Sequence, residues 1–152
     1  MREKSYLCQN FENMRKIILA LMLIWLPMLL HAQSMKGYYY NEEYQIYLYL
    51  SADSSDIKVP GQDIYGELPG YFGSKRDSRL WLITGCERKN KHQVKIEVIN
   101  DYGSEDFEAL LSEDRDGHIT MKHLDGSSYK IVVNSKYVKV PKTIVLAKKE
   151  HP

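Results

Sequence analysis

The chain has 152 residues, 43% of them hydrophobic and 27% charged, which is one domain's worth of polypeptide. A formal net charge of +1 speaks against a dedicated nucleic-acid binder, which needs a basic excess to neutralise phosphates. Nine glycines and five prolines are too few for a collagenous or low-complexity disordered chain.

In chain order, the first signal is the apolar run Ile17–Leu30, "IILALMLIWLPMLL", with Arg15 and Lys16 before it and "HAQS" after it. A basic flank, a short apolar stretch and a small residue make a secretory signal, cut near Ala32–Gln33. An anchor wants roughly twenty apolar residues, so this run is short for one. Residues 1–13 extend ahead of the signal, and Met14 would open a better-shaped one. The expected organisation is a leader over 1–32 and a folded domain over 33–152, periplasmic or secreted, touching membrane only through the leader before its removal. The remaining chain carries a formal charge of −1 and one cysteine, Cys86, so no internal disulfide can form in it.

Lys36–Tyr40 and Tyr44–Ala52 are predicted strands joined by "NEE". In the second, Ile46, Leu48 and Leu50 point one way and Tyr47 and Tyr49 the other. A polar loop with a Pro60–Gly61 turn leads to Ile64–Leu68, predicted extended. Pro69–Gly70 fits the centre of a type II turn, with a kink or bulge as the alternative, before Tyr71–Phe72. Arg79–Cys86 is apolar on both faces, as a central strand is. His92–Asn100 alternates, with Val94, Ile96 and Val98 inward. "DFEALLS" has two readings. Phe107, Leu110 and Leu111 have helical spacing behind Ser104 as a cap, whereas Phe107, Ala109 and Leu111 have strand spacing. The neighbouring segments alternate with period two, so strand is preferred. "DRDG" then makes a hairpin to His118–Leu124, and Asp125–Gly126 offers a second tight turn. "YKIVVN" and Lys142–Lys148 are the last strands, with Pro141 at the start of the latter.

Eight or nine short strands without a long helix predict an all-β domain. A single antiparallel barrel built as a meander is the first choice and a β-sandwich the alternative. A barrel leaves no exposed edges.

The segment Asn100–His118 holds seven carboxylates against one arginine. Asp114-x-Asp116-Gly117 resembles the middle of a calcium loop. Yet Ser112 and His123 stand where the loop needs its first acid and its closing glutamate. On a strand Asp106 and Glu108 share one face, which suits a solvated or docking surface. His118 and His123, five apart, fall on opposite faces and cannot share a metal. No metal, cofactor or catalytic residue is therefore assigned. Eight of the twelve tyrosines lie between Tyr38 and Tyr71. Tyr38, Tyr40, Tyr47, Tyr49, Tyr65 and Tyr71, with Asp106 and Glu108, form the candidate binding surface, because aromatic faces stack on sugars and on apolar groups of a partner. The late lysines, Lys136, Lys139, Lys142, Lys148 and Lys149, suit protection of an edge strand, with contact to an anionic envelope surface as the alternative.

Taken together, "GYYY", "YGELPGYF", "WLITG", "NDYGSEDFEALL", "LDGSSYK" and "YVKVPK" resemble small secreted domains of Gram-negative bacteria with the pattern of calycin-like barrels. That group includes lysozyme-inhibitor and lipocalin-like modules. The resemblance covers most of residues 36–149 and implies a fold; it assigns no inhibitory residue here, and the lone Cys86 departs from the disulfide usual in the inhibitors. The expected function is non-catalytic binding of an envelope protein or a glycan. The alternatives are a carrier of a small apolar ligand in the lumen, and a hydrolase using carboxylates of the 101–116 region.

Overall fold

The computed structural model describes residues 14–16 and 35–150. The expected leader, apart from residues 14–16, and the junction at Ala32–Gln33 lie outside the described residues. No helix among the described residues is long and apolar enough to cross a membrane.

Twelve strands follow one another: β1 (Lys36–Asn41), β2 (Ile46–Ser51), β3 (Ile57–Lys58), β4 (Glu67–Leu68), β5 (Gly70–Ser74), β6 (Leu80–Asn90), β7 (Gln93–Asn100), β8 (Asp106–Glu113), β9 (Ile119–Gly126), β10 (Lys130–Val133), β11 (Lys136–Lys139) and β12 (Thr143–Lys149). Eight of them close an antiparallel barrel in the order β1-β2-β5-β6-β7-β8-β9-β12, with β12 returning to β1. The barrel is thus a meander with two excursions, the two-stranded ribbons β3-β4 and β10-β11. This architecture is compatible with a calycin-like barrel. Closure through Tyr38–Lys149 and Tyr40–Ala147 sets the sandwich alternative aside.

Cross-strand register explains why alternation is so clean. One row runs Tyr39, Leu48, Phe72, Trp81, Asn100, and it faces inward, with Tyr39 and Phe72 fully buried. The adjacent row runs Tyr38, Tyr49, Tyr71, Leu82, Ile99, Asp106, and it faces outward. A slip of one residue would exchange the two sets, so the hydrophobic pattern fixes the pairing. Val94, Ile96 and Val98 of β7 and Phe107, Ala109 and Leu111 of β8 all enter the core, so the strand reading of "DFEALLS" holds and the helical one falls.

Side chains fill the lumen. Trp81 lies 5.2 Å from Phe107 and 5.4 Å from Tyr129, and Phe72 lies 5.3 Å from Tyr129, measured between ring centroids. Each such ring, fully buried, contributes about 1.5–3 kcal/mol. Tyr129 and Ile131 come from the β9–β12 excursion, so the β10-β11 ribbon folds over one end of the barrel and plugs it.

Four local expectations are corrected. Tyr44 belongs to the β1–β2 turn, where Gln45 has a positive φ. The stretch Ile64–Leu68 is mostly not extended, because Asp63–Tyr65 forms a 3-10 turn and only Glu67–Leu68 pairs. Pro69–Gly70 makes no type II turn; Gly70 enters β5, squeezed so closely that a Cβ would sit 2.3 Å from the Tyr49 carbonyl oxygen. Asp125–Gly126 is no tight hairpin either. Strand β9 continues through it, paired with Glu108 and Phe107, and Leu124 is the extra residue of a bulge. The tight turn comes later, at Asn134–Ser135, both with positive φ, where β10 doubles back into β11. Leu82 is not in the lumen: it points outward and is buried under Val59 and Leu68 of the first excursion.

Candidate functional site

The outer face of β1, β2 and β5 is a wall of tyrosine. Tyr38, Tyr49 and Tyr71 stand in one cross-strand row, with centroids 4.8 Å apart for the first pair and 4.9 Å for the second, the latter stacked at 20°. Tyr40 and Tyr47 form the next row, and Tyr47 meets Tyr49 and Tyr71 edge-on at 6.0 and 6.3 Å. The third place in that row belongs to Gly73. Any Cβ there would lie 2.7 Å from the Tyr47 hydroxyl, so the missing side chain is what lets the ring lie across β5. Lys75 sits over the Tyr40 ring at 5.0 Å.

These rings shield one another, and only their outer parts meet water. Burial, then its tyrosine neighbours, pushes the Tyr71 hydroxyl up to about 12. Burial and then Tyr49 raise Tyr47, and burial followed by Tyr49, Tyr40 and Tyr47 raises Tyr38. Their hydroxyls therefore stay protonated at neutral pH, offering hydrogen bonds at the edge of an apolar platform. Tyr65 is apart from the wall, 40% exposed in the 3-10 turn beside Ile64.

The acids of Asn100–His118 are spread along β8 and the turns at its two ends. Asp101 and Glu105 flank the β7–β8 turn, and Asp114 and Asp116 lie in the β8–β9 turn. The eight residues of β8 separate those turns, roughly 25 Å at ~3.3 Å per residue. Asp106 and Glu108 share the outer face of β8, as alternation requires, and line a shallow groove with Glu97, Asp125 and Thr84. Glu108 is held by Lys95 at 2.7 Å. Asp114 serves its own turn. Its Oδ1 accepts the backbone N–H groups of Asp116 and His118, each at 2.9 Å, and the His118 N–H is the main cause holding its carboxyl below the usual range.

Asp114, Asp116 and His118 can bring one ligand atom each within 4.8 Å of one another, a grouping missed in the sequence because it forms across a turn. All three are solvent-facing or half-buried, and the turn itself accounts for their proximity. His123 is far from His118, at the other end of β9, stacked 5.3 Å from Phe107 with Nε2 2.9 Å from the Ser127 carbonyl. Burial pushes the Cys86 thiol up to about 11, which leaves it protonated and unreactive.

A feature absent from the sequence reading lies at the plugged end. Asp77, in the β5–β6 loop, accepts from Arg79 Nε and Nη2 at 2.9 and 2.7 Å and from the Val132 backbone N–H at 3.0 Å. Arg79 donates onward to the Lys130 carbonyl at 2.8 Å and lies 5.2 Å from the Tyr137 ring centroid. The pair thus supplies β10 with the partners a neighbouring strand would have given. Burial pushes Asp77 up, but the Arg79 guanidinium and the two backbone N–H groups outweigh it and hold the carboxyl below its ordinary value. Beside this pair, Tyr102, Ser104, Glu105, Lys130 and Tyr137 line an open cleft. Tyr102 and Tyr137 are 76% and 71% exposed, far more than any ring of the wall. Their only sequence signal is position: each adjoins a turn.

Protein-family models, curated proteins and solved structures were all compared with the chain, and none matches.

Proposed function

We propose that the protein is a secreted or periplasmic binding module without catalytic activity, which engages an envelope protein or a glycan through the tyrosine wall. The observation that carries this reading is the cross-strand row Tyr38–Tyr49–Tyr71 beside Tyr40 and Tyr47 on one outer face. Flat, pre-ordered rings cost little conformational entropy to use and suit both sugar faces and apolar side chains. The calycin-like resemblance supports an extracytoplasmic role, since such barrels serve as inhibitors and carriers.

The carrier alternative has less support. The hollow reaching the interior, between Phe107, Met121, His123 and Tyr129, has a volume of about 20 Å³, room for about one water, against the ~300 Å³ or more of a ligand pocket. The hydrolase alternative needs two acids across a cleft; Asp106 and Glu108 line one open groove from the same face of one strand, with Glu108 held by Lys95, and the other carboxylates of 101–116 lie toward the two ends of β8.

The test is a glycan array and an affinity capture from cell-envelope extract, run with the wild-type protein and with Tyr49→Ala and Tyr71→Ala. Binding that falls at least about tenfold in both variants, with the fold retained by circular dichroism, is the expected result. Equal binding by wild type and variants removes the wall from the reading; blank arrays with empty captures remove the reading itself.

A further inference from the structure

We propose that the free edge of β11 is a docking strand for an extended, acid-rich segment of a partner protein. The proposal concerns a different surface from the tyrosine wall and does not depend on it.

Backbone pairing provides the first argument. All eight barrel strands are bonded on both sides. Among the described residues, β10 and β11 are the strands of four or more residues outside the barrel; on the outer edge of β10 the Val132 N–H and the Lys130 carbonyl are taken by Asp77 and Arg79, whereas no side chain occupies the outer edge of β11. In an antiparallel pair, directly opposed residues point their N–H and C=O groups the same way, both toward or both away from the partner strand. The Val132 N–H points away from β11, to Asp77, and the Lys130 carbonyl points away to Arg79. Their opposites, Tyr137 and Lys139, therefore direct their backbone groups outward from the ribbon, where no described residue bonds them. All four residues of β11 are solvent-exposed. The edge offers two N–H and two C=O groups in strand geometry, the arrangement used when an extended peptide adds to a sheet.

Charge identifies the occupant. From Tyr129 to Lys142 the chain carries four lysines, Lys130, Lys136, Lys139 and Lys142, and no acid. None of the four makes an ion pair among the described residues, although ion pairs occur elsewhere on the barrel. A second copy of the chain is disfavoured, because two β11 edges would set lysines against lysines. An acidic strand would be attracted by the same residues. Side chains alternate along β11, so Lys139 shares one face of the ribbon with Tyr137, 71% exposed, and Lys136 shares the other with Val138, 38% exposed; each face offers one cation and one apolar contact to an added strand.

The test uses protein purified after expression of the full chain, with a synthetic octapeptide that repeats Glu-Val-Val-Glu, which sets acids opposite Lys136 and Lys139 and valines opposite Tyr137 and Val138. A second peptide of the same sequence is N-methylated at alternate positions, which blocks strand pairing at constant charge. A sulfated oligosaccharide serves as a polyanion without a peptide backbone. The plain peptide is expected to bind, to slow amide exchange at Tyr137 and Lys139, and to weaken about tenfold or more on N-methylation. The double variant Lys136→Glu, Lys139→Glu, at exposed positions, is expected to lose about tenfold, while Tyr49→Ala binds as wild type. Equal binding of the N-methylated peptide or of the oligosaccharide would reduce the site to a polyanion patch and overturn strand docking. Failure of the plain peptide to bind at millimolar concentration, or loss of its binding in Tyr49→Ala, would overturn it as well.

Discussion

Asp77 and Arg79 hold a ribbon that makes few bonds to the barrel by itself. Their side chains are 7% and 16% exposed, so each would be left with an uncompensated charge if the other were removed. Asp77→Ala is expected to cost about 3–5 kcal/mol, read as a lower urea midpoint, whereas breaking an exposed pair such as Lys36–Asp56 should leave the midpoint nearly unchanged. The same carboxylate sets a pH dependence. Its pKa is depressed in the folded state, so its contribution is complete above the unfolded value near 3.8 and is lost as pH falls through the lower folded value. Melting temperature should accordingly fall below about pH 4, and Asp77→Asn should flatten that part of the profile. None of this was visible in the sequence. "RDSR" gives three charges near a turn, and nothing local says that a strand fifty residues later will rest on two of them.

At the scale of elements, the β10-β11 ribbon is the part where sequence reasoning went furthest astray. Asp125–Gly126 is a strong hairpin signal, and Asn134–Ser135 a weaker one, yet the structure turns at the second. The reason is packing. Turning at Gly126 would withdraw β9 from its pairing with Phe107 and leave Tyr129 and Ile131 short of the core they plug. Gly126 keeps its positive φ within the strand, where a Cβ would lie 2.6 Å from the Asp106 carbonyl. The Asn134–Ser135 turn then needs residues that tolerate left-handed backbone. Asn134→Val should destabilise it by about 1–2 kcal/mol, because a β-branched side chain clashes there. Amide exchange should quicken at Val133 and Lys136, with the barrel amides unchanged, whereas Asn134→Gly should leave the ribbon as protected as before. Strand β8 is the opposite case. Its alternation was legible even against a competing helical spacing, because β7 and β9 on both sides already repeat with period two.

For the molecule as a whole, closure is the governing fact. β12 joins β9 to β1, and its Ile144 and Leu146 are buried in the core. Ending the chain before Thr143 would expose two long edges and open the lumen. The expected outcome is oligomers or precipitate in size-exclusion chromatography in place of a monomer-sized peak. The filled interior has a second consequence. With aromatic rings stacked through the lumen, recognition falls to the outside of the barrel, which is where the two proposed binding surfaces lie.

Sequence alone determined what depends on near neighbours along the chain. Period-two alternation sorted Ile46, Leu48 and Leu50 from Tyr47 and Tyr49, placed Val94, Ile96 and Val98 inward, and made the all-β barrel the first choice. Tertiary structure decided what depends on residues far apart. The five tyrosines lie on three strands and become a wall only because the register aligns them and Gly73 leaves room. Leu82 faces outward yet is dry because an excursion folds over it. Asp77 and Arg79 became the anchor of a distant ribbon. Alternation is a property of one strand, whereas register, cover and plugging arise only when strands meet, so the former is written locally and the latter are not.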